Sequence, residues 1–396
     1  MKKFMEKVSI LGLSTILTTS FSISSALPAM SKFYKSYPAS QLELLVSLPS
    51  IGIIIMLVLN AYIERYLSER QMIVTGLSLL SLSGFVPLFT TNYWLIFASR
   101  LVFGLGVGLM NAKAISIISD RYQGRERLQM LGYRSSAEVV GTALLTLAVG
   151  QLLHWGWQAS FLIYGAGFPI LLLYLLFVSK PEARAASESL AEASDSKLRA
   201  GQLKIILFLS LLAGVIVLCN TTLNIRIPSL LIKNKLGQEE TASLVLGAMQ
   251  FTGVVAGISF ASLAALLKER LLLVAGLSYG LAQILLGLSS QLWFLGFMSV
   301  AAGFSYSVSL TAIFNLLSDF LPADLINRGT SIIILGCSLG ASSGPFILLL
   351  LGVISDQVFL PFVLLGALMI LATSLIYPIS KKMIREREGG QVDASR

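Results

Sequence analysis

The chain has 396 residues, 55% of them apolar and 12% charged, with a mean hydropathy of +0.82. Soluble domains carry about 25% charged residues, so this composition excludes a soluble globular protein. The net charge of +9 does not indicate nucleic-acid binding, because the basic residues lie in short segments between long apolar stretches.

Twelve apolar stretches follow one another along the chain. Each has about 20 residues, enough to cross a hydrocarbon core of roughly 30 Å. They lie at about 8–30, 42–63, 71–90, 94–117, 129–153, 159–179, 203–226, 241–263, 269–289, 292–317, 329–352 and 359–380. Because the bilayer core offers no water to backbone polar groups, each stretch is predicted to be a helix. We therefore expect an all-α membrane protein with twelve transmembrane helices.

The first stretch could be mistaken for a secretory signal, because MKKFMEK precedes an apolar run that ends in Ala26-Leu27-Pro28-Ala29. Its apolar part is longer than an ordinary signal core. It also aligns with the seventh stretch, where Pro228 matches Pro28. We expect a retained first helix.

The second half of the chain repeats features of the first half in the same order. Residues 67–78 and 267–278 are identical at seven of twelve positions. Further matches are Trp94 with Trp293, Gly104 with Gly303, and Ser119-Asp120 with Ser318-Asp319. A parallel repeat of this length is typical of transporters in which two six-helix bundles face a central site.

A polar segment rich in Ala, Ser and Glu separates the two halves. We predict an N-terminal bundle at 1–179, a cytoplasmic linker at 180–202, a C-terminal bundle at 203–380 and a cytoplasmic tail at 381–396. The tail is basic and then polar, and we expect it to fray.

The distribution of Lys and Arg predicts the orientation of the chain. With the N terminus in the cytoplasm, 21 of the 29 basic residues fall in cytoplasmic segments or, for Lys204 and Arg270, at the cytoplasmic ends of spans. The others are Lys32, Lys35, Lys233 and Lys235 outside, and Arg100, Lys113, Arg134 and Arg226 within spans. By the positive-inside rule, both termini are cytoplasmic in a multi-pass protein of the cell (inner) membrane.

The fourth span contains Arg100 followed by Gly104, Gly106 and Gly108. This pattern resembles the Arg-x-x-x-Gly motif of the fourth helix in the major facilitator superfamily. Together with the twelve spans, the repeat and the linker, the resemblance covers essentially the whole chain. It implies the superfamily fold of two six-helix bundles around a central cavity.

The loop between the second and third spans keeps one part of a superfamily pattern that reads Gly-x-x-x-Asp-Arg-x-Gly-Arg-Lys. Only the acid-then-arginine pair, Glu64-Arg65, is present here. Its counterpart at the end of the fourth span is Asp120-Arg121. The resemblance implies that these four residues form a gating loop motif.

The sequence motifs indicate the subfamily less clearly than the superfamily. The chain looks closest to drug:proton antiporter-like members, which carry a Gly-Pro-x-x-Gly-Gly motif in the fifth helix. The fifth span here has no Gly-Pro, and a similar-looking segment, Gly340 to Pro345, lies in the eleventh span. Export by antiport is therefore one alternative, and uptake is the other.

Charged residues inside spans are the first candidates for ion coupling, since each costs roughly 2.5–3.5 kcal/mol at a helix centre. Arg100 either tunes a nearby carboxylate or binds an anion, or it is a structural arginine bonded to backbone carbonyls of the first helix. Arg134 and Glu138 are four residues apart and can form an ion pair. Lys113 is expected at a similar depth, where it would compete for the same carboxylate.

Glu138 is interpreted as the only acidic residue well inside a span. It either carries the coupled proton or forms a static salt bridge that closes the cytoplasmic side. Glu43 and Arg226 stand near the outer ends of their spans. We expect both to be interfacial and solvated, with a helix break at Pro228.

Polar uncharged residues are concentrated on the first, fourth, seventh and tenth spans, the helices that line the cavity in the superfamily. The predicted cavity residues are Ser20, Ser24, Asn111, Asn220, Asn224, Arg226, Tyr306 and Asn315. The alternative is that the Ser residues are small groups that let helices pack closely.

Enzymatic chemistry is not expected. Cys219 and Cys337 lie within spans and His154 is the single histidine, so neither a metal site nor a clustered catalytic site can be assembled. A nucleotide-binding Gly-x-x-x-x-Gly-Lys motif is absent from the sequence, so ATP is not the energy source. We expect no cofactor.

These observations predict a secondary transporter that works by alternating access, is coupled to protons and acts as a monomer in the lipid bilayer without nucleic acid. The expected substrate is a small amphipathic or drug-like molecule carried outward. The alternative is uptake of a small organic anion or nutrient by proton symport. A channel or sensor is disfavoured because the soluble segments are too short for a signalling domain.

Overall fold

A computed structural model describes the chain except for Met1, Thr18, Gln123, residues 179–199, Pro322, Asp356, Ser395 and Arg396. Most of the predicted linker, 180–202, therefore lies outside the described residues. Every regular element in the described part of the chain is a helix.

In the first half of the chain, the described residues form seven α-helices and three 3₁₀ segments. They are α1 Lys2–Thr15, the 3₁₀ helix Thr19–Ala26, α2 Leu27–Phe33, α3 Ala39–Ile63, α4 Glu69–Phe89, α5 Tyr93–Arg121, α6 Gly124–Leu152, the 3₁₀ helices Leu153–Trp155 and Trp157–Ala166, and α7 Gly167–Phe177.

The described residues of the second half form six α-helices and one 3₁₀ helix. They are α8 Ala200–Lys233, α9 Glu239–Leu267, the short 3₁₀ helix Lys268–Arg270, α10 Leu271–Gly287, α11 Leu292–Phe320, α12 Ala323–Ile354 and α13 Leu360–Ala394. Helix α8 continues through Pro228, so the expected break there is wrong. Helix α13 continues to Ala394, where a fraying tail was expected.

Among the described residues, nine helices are long and apolar enough to cross a membrane, or ten if one bent pair counts as a single span. One of the nine runs from Glu239 to Gly287 and contains two of the predicted stretches. Leu360–Leu375 is a shorter apolar helix. Each of the twelve predicted stretches is thus occupied by helix, although their lengths are less uniform than the sequence indicates.

The first predicted span is not one straight helix. Lys3–Ser14 and Thr19–Phe33 meet at an angle of 53°. Hydroxyl groups near the bend bind local carbonyls: Thr15 Oγ1 donates to Gly12 O at 2.7 Å and Thr19 Oγ1 to Ile16 O at 2.8 Å. Such side-chain bonds compete with regular helical bonding, which accounts for a break in this Ser- and Thr-rich segment.

The chain divides into two compact units. Unit 1 comprises Met1–Ala193 and Asn224–Gln250, and unit 2 comprises Ser194–Leu223 and Phe251–Arg396. The end of α8 and the beginning of α9 therefore belong with the N-terminal helices. The predicted bundle boundaries, with 203–380 as one bundle, stay a prediction.

Unit 1 is built around α5, which packs along α3 and α4. Glycines allow these helices to approach closely. A Cβ atom on Gly104 would overlap backbone atoms of Pro49, and one on Gly108 would lie 2.6 Å from Met56 Cβ. The glycines of the fourth span thus stand at close helix contacts.

In unit 2, glycines also allow α8 and α12 to approach closely. A Cβ on Gly340 would overlap the backbone of Gly214, and Ser210 Oγ donates to Ile332 O at 2.8 Å. Helix α10 packs against α11 and α13. Gly257 of α9, in contrast, has no neighbouring atom within 4 Å of a built Cβ.

Unit 1 has two ends, which we name by the orientation that the charges predict. The predicted outer end carries residues 34–38, 90–92 and 234–238, and the predicted cytoplasmic end carries residues 64–68 and Tyr122. At the outer end, Tyr34 Oη donates to Thr91 O at 2.7 Å.

Candidate functional site

Arg100 is fully buried in the middle of unit 1, and all three of its guanidinium nitrogens donate hydrogen bonds. Nε donates to Leu45 O of α3 at 2.9 Å, and the two terminal nitrogens donate to Ser20 O and to Tyr164 Oη, each at 3.1 Å. The Phe103 ring centroid lies 4.7 Å from the guanidinium carbon. One of the three acceptors, Ser20 O, is a carbonyl of the first span, as the alternative of a structural arginine expects, and the other two lie outside that span.

Tyr164 is the partner of Arg100 that the sequence did not reveal. Its side chain is fully buried, accepts from Arg100 and donates to Thr19 O at 3.4 Å. A hydrogen bond from a charged donor contributes about 1.5–3 kcal/mol, and a buried guanidinium is tolerated only when it is bonded in this way. The available signal was a hydroxyl-bearing ring in the middle of an apolar stretch.

Glu43 and Arg226 form an ion pair inside unit 1. Arg226 Nε lies 3.2 Å from Glu43 Oε1, and the two side chains are 14% and 4% exposed. The second carboxylate oxygen, Oε2, is buried and has no hydrogen-bond partner. The expectation that both side chains are solvated is wrong, because the uninterrupted α8 carries Arg226 against Glu43 of α3. Glu43 is thus an acidic residue that is buried at the beginning of a span.

Two more acid–base contacts tie the beginning of α9 to unit 1. Lys32 Nζ lies 2.9 Å from Glu239 Oε1, and His154 Nδ1 lies 3.5 Å from Glu240 Oε1. Both basic side chains are exposed, at 68% and 60%. The charged contacts of segment 224–250 with unit 1 thus include one buried pair and two with exposed basic side chains.

An aromatic cluster surrounds the predicted outer end. The rings of Tyr37 and Tyr93 stack with centroids 4.4 Å apart, and Tyr34 packs edge-on against both. Burial, and secondarily the neighbouring Tyr37, raises the pKa of Tyr34 to about 12. Tyr34 therefore keeps its proton and its hydrogen bond to Thr91 at physiological pH.

A short chain of polar side chains crosses unit 1. Gln250 Nε2 donates to Thr146 Oγ1 at 3.3 Å, and Thr146 donates to Ser22 Oγ at 3.1 Å. Of the predicted cavity residues nearby, Ser20 is buried and supplies its carbonyl to Arg100. Ser24 is buried as well and donates to Phe21 O at 2.5 Å.

Ion pairs join several helices at the predicted cytoplasmic end. Arg121, at the end of α5, lies 3.1 Å from Glu6 of α1 and 3.3 Å from Glu69 of α4. Lys113 lies 3.0 Å from Glu64. Within the predicted gating loop motif, Glu64 thus contacts α5 through Lys113, and Arg65 is exposed. Asp120 lies in α5, and its side chain is outside the described part.

The predicted pair on the fifth span is confirmed: Arg134 lies 3.5 Å from Glu138, with both side chains partly buried. Lys113 was expected to compete for Glu138, and its ion pair with Glu64 was not anticipated. Glu64 belongs to the neighbouring loop, which the sequence alone does not place beside the inner turn of α5.

The remaining cavity candidates are distributed over both units. Asn111 and Asn224 belong to unit 1, the first partly exposed and the second buried. In unit 2, Asn220 and Tyr306 are partly exposed and Asn315 is exposed. The Tyr306 ring lies 6.0 Å from that of Tyr279. Their joint role in a substrate cavity stays a prediction.

Comparison with known proteins adds a family and a fold. The family model described as Major Facilitator Superfamily matches residues 10–345 and 209–391. No curated protein sequence matches the chain. Among solved structures, the chain is similar to a D-xylose–proton symporter, with 17% identity over 95% of this chain and 97% of that one and a TM-score of 0.73.

Two further structures are similar over nearly their whole length. A bacterial homologue of the human lysosomal transporter Spinster, inward-facing and unoccupied, has 16% identity over 97% of this chain and 98% of its own, with a TM-score of 0.74. A mutant of the peptide transporter POT in complex with alafosfalin has 12% identity over 96% of this chain and 95% of its own, with a TM-score of 0.75. At these identities the similarity shows the fold alone.

Proposed function

This chain belongs to the Major Facilitator Superfamily and is a non-enzymatic secondary transporter, and we propose that it uses protons to move a small, uncharged amphipathic molecule outward across the cell membrane. The predicted fold class is confirmed by the family and the similar structures. Alternating access by a monomer, with both termini in the cytoplasm, is part of the proposal.

One observation carries the choice of an uncharged cargo. An anionic substrate would require Arg100 and Arg226 to face the cavity as free cations. Arg100 is fully buried and donates to three acceptors, and Arg226 is paired with Glu43. A new anion would have to displace these partners, and separating a buried pair is costly. The geometry therefore favours a cargo recognised by hydroxyl, amide and apolar groups.

For coupling, we propose that Glu138 exchanges a proton while Arg134 compensates its charge in the deprotonated state. An ionised carboxylate within a span is energetically unfavourable unless it is paired. We therefore expect Glu138 to take up a proton when it separates from Arg134. We further propose that Glu64, Arg65, Asp120 and Arg121 act as the cytoplasmic gate. The ion pairs of Arg121 and Lys113 with three different segments support this role.

The test is accumulation of a panel of fluorescent lipophilic dyes in cells that express wild type, Glu138→Gln or the exposed-pair control Glu239→Gln at matched membrane levels. We expect lower accumulation of at least one dye with wild type and the control, abolished by a protonophore, and loss of export in Glu138→Gln. Equal accumulation of every dye in all strains would contradict outward transport of amphipathic molecules.

The second candidate is uptake of a small nutrient by proton symport. It is favoured by the absence of Gly-Pro from the fifth span. Proton symport predicts that the medium becomes more alkaline when a candidate solute is added to energy-depleted cells that express the protein. Export does not predict this change.

A further inference from the structure

We propose that Glu43 is a second proton-binding site, whose protonation breaks its pair with Arg226 and releases segment 224–250 from α3. The inference rests on the proposed proton coupling and deepens it. It adds a coupling residue near the predicted outer end, far along the chain from the Arg134–Glu138 pair.

The first argument is the environment of the carboxylate. Glu43 is 4% exposed, and only one of its two oxygens has a partner, Arg226 at 3.2 Å. An ionised carboxylate in such a place needs its counter-charge, because burial of an unpaired charge is strongly unfavourable. A protonated carboxyl group has no such requirement. Protonation of Glu43 therefore favours separation of the pair.

The second argument is where the partner comes from. Arg226 lies on α8, in the segment Asn224–Gln250 that joins unit 1 from the other half of the sequence. Two further charged contacts of this segment, with Lys32 and His154, have exposed basic side chains. Solvated pairs contribute little to stability, because water can replace them. Of these three contacts, the buried pair is therefore the strongest, and protonation of Glu43 would remove its charge attraction.

The sign of the pH dependence follows from the proton count. The paired state holds no proton on Glu43, and the separated state holds one. Separation therefore binds protons, so it is favoured as pH falls, and the paired state is favoured as pH rises. By the same linkage, a gradient with higher proton concentration outside favours release of the segment at that side.

Other groups around this part of α3 could also respond to pH and need controls. Arg100 and Tyr93 stand on α5, Lys32 on α2 and Tyr34 directly after it, and these elements pack against α3. Tyr37 lies in the following loop, and Glu239 and Glu240 begin α9. Histidine side chains change charge near neutral pH, so the contact of His154 with Glu240 is the main competing explanation.

The test measures the position of the segment directly and needs no cargo. Nitroxide labels at Lys35→Cys and Asn234→Cys, both exposed positions of the predicted outer end, are introduced into the full chain with Cys219 and Cys337 replaced by alanine. Distances are recorded by electron–electron double resonance in lipid nanodiscs between pH 5 and 9. We expect the wild-type distance distribution to lengthen as pH falls.

The variants assign the response. Glu43→Gln should give the long distances at every pH, whereas Glu43→Asp should keep a pH response. Arg226→Gln should also lose the wild-type response, because the pair cannot form at any pH. His154→Gln and Glu239→Gln should keep the wild-type midpoint. A pH-independent wild type, or a Glu43→Gln variant that keeps the wild-type midpoint, would overturn the proposal.

The outcome separates this inference from the proposed function. If the distances follow Glu43 but no dye is exported, the assigned cargo and direction are wrong and the coupling site stands. If dyes are exported with a protonophore-sensitive gradient while Glu43→Gln retains the wild-type midpoint, the transport proposal stands and Glu43 is only a structural ion-pair partner. Should Glu43→Gln fail to fold, Arg226→Gln provides the same decision: loss of the response supports the proposal, and an unchanged midpoint overturns it.

Discussion

Arg100 shows how a single residue can connect several parts of a membrane protein. Its guanidinium offers donors in fixed directions, and here they are directed at α3, at the 3₁₀ helix Thr19–Ala26 and at Tyr164. A lysine at this place could carry the charge but would present its donors from one compact point. The position therefore demands the shape of arginine as well as its charge.

Substitution of Arg100 should reduce stability more than it changes coupling. Arg100→Ala removes three buried hydrogen bonds from a charged donor, each contributing about 1.5–3 kcal/mol, so thermal unfolding of the purified protein should shift down by several degrees. Arg100→Lys should recover part of this loss, and Tyr164→Phe should cost about 1 kcal/mol. An Arg100→Ala protein with wild-type melting and no transport would instead identify a coupling role.

The site residues were predictable from sequence to different degrees. The Arg134–Glu138 pair follows from helical spacing, because residues four apart meet on one face. The Glu43–Arg226 pair could not be found in this way. The two residues are 183 positions apart by their numbers, and burial near a span end depends on how α8 packs against α3. Neither hydropathy nor spacing reports such a contact.

At the scale of elements, the crossing of α3 and α5 depends on the absence of side chains. Gly52 lies against the backbone of Leu101 and Leu105, and Gly104 lies against the backbone of Pro49. In lipid the hydrophobic effect does not draw helices together, so close packing of this kind is a main source of their association. The glycines are therefore structural at this crossing.

A matched pair of glycine substitutions tests this conclusion. Gly104→Ala should destabilise the protein by about 1–3 kcal/mol, because the added methyl group overlaps backbone that cannot move without displacing a helix. Gly257→Ala is the control, since nothing lies within 4 Å of its built Cβ, and it should be neutral or stabilising by up to about 1 kcal/mol. Both are measured as unfolding midpoints in detergent. Equal midpoints for the two variants would contradict the close-packing account.

At the scale of the whole molecule, the helical membrane fold and its family were predictable because hydropathy and the internal repeat act over many residues. The bend in the first span and the membership of 224–250 in unit 1 were not. Both depend on particular hydrogen bonds and contacts between distant segments. A pattern averaged over about 20 residues, the length of a span, does not record them.

The predicted orientation can be tested by labelling with a membrane-impermeant maleimide. In a chain without Cys219 and Cys337, Lys35→Cys should react in intact cells, because the charge distribution places it outside. Lys268→Cys, in an exposed segment after α9, should react only after the membrane is permeabilised. The reverse pattern would invert the assignment of both ends.

The broken first span has an evolutionary consequence. Ser20 lies in the irregular 3₁₀ turn Thr19–Ala26, and its carbonyl oxygen accepts from Arg100. The irregular turn and the arginine thus compensate each other. In diverging descendants, replacement of Arg100 by an apolar residue should be accompanied by loss of the Ser and Thr residues that break the helix, and an alignment of such sequences would show the two sites changing together.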